Sequence, residues 1–223
     1  MKSLRRSIEL FQKNLNPHPE GEAGLQVRDH RQMVGGMWEK IGQLQFDYLV
    51  AKGLKPSDTL LDIGCGSFRA GLHFIQYLDP GNYLGIDKQA PLVREGQSKE
   101  VGEALWSAKR PEIVISDQFD FSKFSKQPRV AIAQSVFTHL SQRDIRSCLR
   151  NLAGFLQQRC SLYATFFEAD VSSWQVLPSH SSRRFEYTRA EMEAMGTRSG
   201  WRTEYVGDWN HPRNQKMVVY HFE

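Results

Sequence analysis

Leu60-Leu61-Asp62-Ile63-Gly64-Cys65-Gly66-Ser67-Phe68-Arg69-Ala70-Gly71 reads as an apolar strand ending in an acid, followed by a glycine-rich turn into a helix. Gly64 and Gly66 carry no Cβ, so the backbone can turn sharply and a ligand can lie directly against it. A second strand-like run, Tyr83-Leu84-Gly85-Ile86-Asp87, ends in a carboxylate of the kind that accepts hydrogen bonds from two ribose hydroxyls. The two linked signals point to a nucleotide-type site at the ends of neighbouring strands.

A nicotinamide or flavin site calls for G-x-G-x-x-G, with the third glycine packing the helix against the strand. Arg69 holds that third position here. The segment instead resembles motif I of the class I S-adenosylmethionine-dependent methyltransferases, apolar-Asp-x-Gly-x-Gly, and Asp87 resembles that family's ribose-binding acid. The resemblance runs from about residue 58 to the C-terminus. It implies S-adenosyl-L-methionine as cofactor, with Gly64, Cys65 and Gly66 lining its methionine part and Asp62 orienting the turn. Arg69 is then placed to meet the cofactor's carboxylate, because guanidinium forks suit carboxylates. The alternative for Arg69 is a solvated side chain on the first helical turn.

Composition sets the frame. With 40% hydrophobic and 24% charged residues over 223 positions, the chain suits one soluble core with an appendage. Cys65, Cys148 and Cys160 show neither metal spacing nor a disulfide framework, which fits a reducing compartment and no metal site. Met1-Lys2-Ser3-Leu4-Arg5-Arg6 is basic but precedes no signal-type apolar stretch, and no run reaches transmembrane length. The expectation is a cytoplasmic protein with no membrane contact. A formal charge of +4 comes from basic residues scattered among acids, which reads as a solvated surface rather than a nucleic-acid footprint.

Residues 1–35 read as polar and irregular, an arm or mobile cover, because Asn14, Asn16, Pro17, Pro19, Gly21 and Gly24 interrupt any long helix. From Met37, the residues Ile41, Leu44, Tyr48 and Ala51 recur at helical spacing, and Gly53 supplies a stop. The expected division is an N-terminal arm and cap helix over 1–55 and a core over 56–223. Strand-like and helix-like segments then alternate, with strands near 59–64, 82–87, 111–116, 129–135, 159–167, 201–206 and 215–222. That alternation predicts an α/β fold, a Rossmann-like seven-stranded mostly parallel sheet with helices on both faces. The last two strands form a hairpin, with the final strand antiparallel, as the methyltransferase sheet also ends. Pro91, Ser141 with Asp144, and Thr188 with Glu191 mark helix starts, and Gly200 marks a helix end.

Ligands of such sheets lie beyond the carboxyl ends of the strands. Lys88 follows Asp87 there, and Ser116-Asp117-Gln118-Phe119 follows the third strand. The resemblance places Asp117 or Gln118 against the adenine amino group and Phe119 against its ring; alternatively Asp117 caps the next helix. After the fourth strand, Gln134-Ser135-Val136-Phe137-Thr138-His139-Leu140 is similar to a Ser-x-x-x-His-Leu segment of small-molecule methyltransferases. Gln134 and Ser135 join the cofactor set. His139 is the candidate catalytic base, since its side chain titrates near neutrality, and its alternative role is to support the loop or touch the cofactor. Trp38 is a candidate substrate-pocket wall or a core filler. The loop Gly207-Asp208-Trp209-Asn210-His211-Pro212-Arg213-Asn214-Gln215 offers Asp208, His211 and Arg213 to a substrate, or else Trp209 and Pro212 merely lock the turn. Glu168, in the stretch from Phe166 through Trp174, borders the substrate space, and 168–187 is long enough for a lid or substrate-binding insertion.

The resemblance therefore implies methyl transfer to oxygen or nitrogen of a small or medium-sized acceptor. The chain lacks the Asp/Asn-Pro-Pro-aromatic motif of amino-methylating nucleic-acid enzymes and a cysteine placed for pyrimidine C5 attack, which points away from nucleic acid. An RNA ribose target stays open. The competing readings are a catalytically silent methyltransferase-like binding module, which has no need for the Gly64, Gly66 and Asp87 combination, and a nicotinamide oxidoreductase, which Arg69 opposes.

Overall fold

The computed structural model of the chain describes residues 2–172 and 176–223. Trp174, named above, lies outside them. The sheet is built from β1 (Leu60–Ile63), β2 (Tyr83–Asp87), β3 (Glu112–Ile115), β4 (Val130–Ala133), β5 (Cys160–Glu168), β7 (Arg202–Gly207) and β8 (Lys216–Phe222), in the order β3-β2-β1-β4-β5-β8-β7. A further strand of two residues, β6 (Glu186–Tyr187), pairs with the end of β5 and was not anticipated. All pairings are parallel except those of β8, which runs antiparallel to both β5 and β7. Strand order reverses between β1 and β4, so the ligand crevice of this topology falls at their carboxyl ends.

Alternation along the strands supplies both faces. Leu60, Tyr83 and Ile132 pack with Leu49, Phe74 and Ile75 on one side, whereas Leu61, Ile63, Leu84 and Ala131 pack with Ile145, Leu149 and Met192 on the other. The first group meets α4 (Trp38–Ala51) and α5 (Gly71–Tyr77), and the second meets α8 (Gln142–Phe155) and α9 (Arg189–Thr197). Between them come α6 (Ala90–Gly96), with Pro91 in its first turn, and α7 (Glu103–Lys109). The Ser141 hydroxyl accepts from the Asp144 amide at 3.3 Å to start α8. Thr188 and Glu191 exchange both bonds of a capping box at α9.

Two expectations need correction. Residues 2–35 are not irregular: they form α1 (Lys2–Asn14), α2 (Gly21–Val27) and α3 (His30–Met33), with the Asp29 carboxylate capping the third. The prolines and glycines separate short helices instead of excluding them. The buried face of α4 is also rotated from the expected stripe, to Trp38, Ile41, Gly42, Gln45 and Leu49, while Met37 is 41% exposed. Gly42 explains the rotation, because a Cβ there would lie 2.5 Å from the carbonyl oxygen of Arg69. The helix approaches the glycine-rich turn backbone to backbone.

Candidate functional site

A cavity of about 1040 Å³ opens at the carboxyl ends of β1 to β5 and reaches the β7–β8 loop. The turn after β1 is laced to the end of β2: the Ile86 carbonyl accepts from the amides of Gly64 (2.7 Å) and Cys65 (3.2 Å). Asp87 is clamped beside it, with Oδ2 accepting from the Gly66 amide at 2.9 Å and Oδ1 from the Gln89 amide at 2.8 Å. Burial raises its carboxyl above the usual range, against those two bonds. Gly64 and Gly66 sit at φ of 72° and 54°, a region that favours glycine. The space their missing Cβ atoms leave is not a ligand bed, however. A Cβ at Gly64 would meet Val136 Cγ2 at 2.5 Å, and one at Gly66 would meet Val34 Cγ1 at 2.7 Å. Two valines therefore pack against the turn, and the cavity borders it from another side. Asp62 accepts from the Tyr83 hydroxyl at 2.8 Å, and burial lifts its carboxyl to about 7. The Cys65 thiol is pushed well up by burial and by the nearby Asp87 and Asp62, so it is no nucleophile.

Arg69 is the unusual member of this wall. It is 7% exposed, and its Nη1 donates to the carbonyls of Val34 (2.7 Å) and Gly36 (3.0 Å). Nη2 donates to Gln134 Oε1 at 2.7 Å, while the buried Nε has no partner. Burial, then Arg213, lowers its pKa to about 10, so it remains charged. No carboxylate among the described residues forms an ion pair with it. Beneath Gln134, Ser135 holds φ 58°, its amide donating to Thr165 Oγ1 at 2.8 Å and its hydroxyl lying 3.0 Å from Gln215 Oε1.

Asp117, Gln118 and Phe119 line the cavity beyond β3. The capping role weighed for Asp117 falls to Ser116, whose hydroxyl accepts from the amides of Gln118 and Asp120 at 3.2 Å each. Asn151 of α8 fixes this loop by donating to the carbonyls of Gln118 (2.9 Å) and Phe119 (3.3 Å). His139 also lines the cavity, and its Nδ1 bonds the Arg183 carbonyl. A carbonyl only accepts, so the proton sits on Nδ1 and Nε2 carries the lone pair. Burial lowers its pKa, against that carbonyl bond, so the ring is neutral at pH 7.

The cavity thus brings together Asp62, Gly64, Cys65, Gly66, Arg69, Asp87, Lys88, Asp117, Gln118, Phe119, Gln134, Ser135, His139 and Arg213. Four predicted residues stand apart. Trp38 is buried edge-on against His30 at 5.8 Å, with Arg31 over its ring, and fills core volume. Glu168 faces β7, accepting from the Tyr205 hydroxyl at 2.8 Å. Asp208 is turned outward, near Lys216. His211 lies behind the wall, stacked on Trp209 with Nε2 3.1 Å from Gln134 Nε2. Trp209 locks this loop by donating from Nε1 to the Gln215 carbonyl at 3.0 Å.

The sequence reading expected a cover from 1–35 and a lid from 168–187 but singled out none of the following residues. His18, Glu20, Arg28 and Val34, from the links that flank the N-terminal helices, and 179–182 from the β5–β6 connection, line the same cavity. Glu20 is their keystone: Oε2 accepts from Lys88 Nζ and Oε1 from the Ser181 amide, both at 2.8 Å. Despite burial, these bonds hold its carboxyl at about 2. The polar run Ser179-His180-Ser181-Ser182 inside an overlong connection was the available signal; nothing in the spacing of Glu20 or Arg28 marks them.

No known family profile matches the chain. Solved structures share its fold. Magnesium protoporphyrin IX methyltransferase from Synechocystis PCC 6803, with bound S-adenosylmethionine, is 18% identical over 86% of this chain and 89% of that one, with a TM-score of 0.59. A putative O-methyltransferase from Nostoc punctiforme PCC 73102 is 16% identical over 99% of this chain and 68% of that one, at 0.63. The CcbJ methyltransferase from Streptomyces caelestis is 12% identical over 81% of this chain and 88% of that one, at 0.60. At such identities the likeness establishes a shared fold, the Rossmann-like fold of methyltransferases.

Proposed function

We propose that this chain is an S-adenosylmethionine-dependent methyltransferase acting on oxygen or nitrogen of a small or medium-sized acceptor. The observation that carries this reading is Arg69, a buried cation with an orphaned Nε, beside the glycine turn and Asp87. A buried charge is expensive unless paired. A ligand with a carboxylate at one end and ribose hydroxyls beyond it supplies what Arg69 and Asp87 lack. The residues fit that cofactor: Asp87 receives the ribose hydroxyls, Arg69 the carboxylate, and Asp117, Gln118 and Phe119 the base. The methyltransferase neighbours, one holding S-adenosylmethionine, support the same choice.

When bound, the sulfonium supplies an electrophilic methyl group with its own leaving group. The protein's work is therefore mainly alignment and exclusion of water. The arm around Glu20 and the 179–182 stretch cover the cavity for that purpose. His139 accepts at Nε2 the proton that an acceptor O–H or N–H must lose, and the Arg183 carbonyl keeps its ring in the tautomer able to do so.

Calorimetric titration with S-adenosylhomocysteine and, separately, NADH tests the reading. We expect binding of the first alone, weakened by about tenfold or more in Arg69→Gln, in line with a lost charged hydrogen bond. Binding of NADH, or of neither by folded protein, overturns it, the latter in favour of a silent module.

A further inference from the structure

The cavity, about 1040 Å³, lies at the top of the range for single-ligand sites, about 300 to 1,000 Å³, and leaves room for an acceptor beside the cofactor. Its cover carries charge that the cofactor does not use. Arg28, just past α2, lines the cavity with its Nη2 donating to the Pro19 carbonyl at 3.2 Å and its Nε buried without a partner. Some exposed arginines are matched with acids, Arg31 with Glu100, Arg94 with Glu22 and Arg189 with Glu193, while others face solvent unpaired; what sets Arg28 apart is its buried, partnerless Nε at the cavity wall. Arg28 has no such ion pair among the described residues. Glu20, the acid of this cover, is already paired with Lys88 at 2.8 Å.

His180 lines the same cavity, its Nδ1 3.7 Å from Glu20 Oε1 and its ring within the field of Arg28. The Ser182 amide donates to His180 Nδ1 at 3.2 Å, and an amide can only donate, so the ring's proton is on Nε2. Burial, with Lys88, Arg183 and Arg28 around it and Glu20 opposing, keeps the ring neutral. The cover therefore offers a guanidinium and an imidazole N–H, the donor set for an oxyanion. It is also joined to the reacting end, because the His180 amide donates to the His139 carbonyl at 3.2 Å.

We propose that this wall is the acceptor's recognition subsite, and that the acceptor is a small hydroxylated or aminated acid whose carboxylate or phosphate is received by Arg28 and the His180 Nε2–H. The assignment rests on the methyltransferase reading for what reacts, but not for what binds.

The test titrates the S-adenosylhomocysteine-saturated protein with inorganic phosphate and, separately, acetate at constant ionic strength, reading the thermal midpoint. We expect one or both anions to raise it saturably, and Arg28→Gln to weaken that response by about tenfold or more, with Arg28→Lys intermediate and S-adenosylhomocysteine affinity within about twofold of wild type. Phosphate against acetate separates the two acid classes. No anion response, or one unchanged in Arg28→Gln, overturns the subsite. Should Arg28→Gln fail to fold, His180→Phe reads the same donor set, and an unchanged response in it overturns the subsite equally. If S-adenosylhomocysteine itself does not bind, the methyltransferase reading fails; the anion titration, repeated on the free protein in Arg28→Gln beside Arg69→Gln, still decides the subsite.

Discussion

At the residue scale, the roles proposed for Asp87 and His139, holding and chemistry, rest on how their side chains are held. Each Asp87 oxygen takes one backbone amide, which fixes the carboxylate's direction and leaves a further lone pair on each for a ligand hydroxyl. Asp87→Ala should therefore weaken S-adenosylhomocysteine binding by about 1.5 to 3 kcal/mol, measured calorimetrically, and unchanged affinity would remove Asp87 from the cofactor site. His139 is held the other way round: one nitrogen is tied to Arg183 and the other is left for a proton. Because burial moves its pKa below 6.5, the basic form dominates at neutral pH. Turnover should be level at pH 7 and fall on acidification through a pKa below 6.5. His139→Gln should lower kcat by about 100-fold and abolish that limb, with cofactor affinity nearly intact. A persisting limb would assign the titration to another group, and a loss of binding would make His139 a support of the pocket wall.

At the element scale, α4 braces the glycine turn and the cover closes the cavity, and both can be probed without altering Arg69 or Asp87. Helix α4 reaches Arg69 through Gly42, where a Cβ would stand 2.5 Å from the Arg69 carbonyl. Gly42→Ala gains about 1 kcal/mol of helix propensity but incurs an overpacking cost of about 1 to 3 kcal/mol. The expected net is a lower urea midpoint, and a raised midpoint would mean the α4 contact is loose. On the cover, Glu20 joins α2 to Lys88 and to Ser181, so Glu20→Gln should speed amide exchange in 14–36 and 178–184 while leaving β1 and β4 protected. Uniform acceleration would contradict a separable cover. These elements also show what the sequence made legible. The strands, the reversed final strand and the caps at Ser141 and Thr188 were readable because each is written in a local pattern of alternation, turn residues or capping pairs. The α4 face was misjudged because hydrophobic spacing cannot register a glycine chosen for backbone approach. A cover and a lid were legible, but not the residues that join them, because contacts such as Glu20 with Ser181 and Asn14 with Arg184 span most of the chain.

At the scale of the whole molecule, three buried titratable groups around the cavity set opposing pH dependences of stability. Asp62 is raised from 3.8 to about 7, so its stabilising contribution is complete below 3.8 and is lost as pH rises through 7. His211 is lowered from 6.5 to about 4 by burial and then by Arg69 and Arg213; its contribution is complete above 6.5 and is lost as pH falls through 4. Glu20, lowered from 4.5 to about 2, contributes above 4.5 and is lost as pH falls through 2. Between pH 7 and 4 the first two therefore offset one another, and the free protein should show a shallow stability profile there. Two substitutions unmask the terms. In Asp62→Asn, which keeps an acceptor for the Tyr83 hydroxyl, urea midpoints should rise relative to wild type at about pH 8 and decline steadily below about 6.5 as His211 charges. In His211→Gln the decline should be smaller, with His139 keeping its own share, and stability should increase relative to wild type from about pH 8 toward 4.5 as Asp62 protonates. Parallel profiles for wild type and both variants would show that neither group titrates inside the folded site. The opposite slopes would show that burial, the largest cause of both shifts, holds each group uncharged through its own window beside the Arg69 charge.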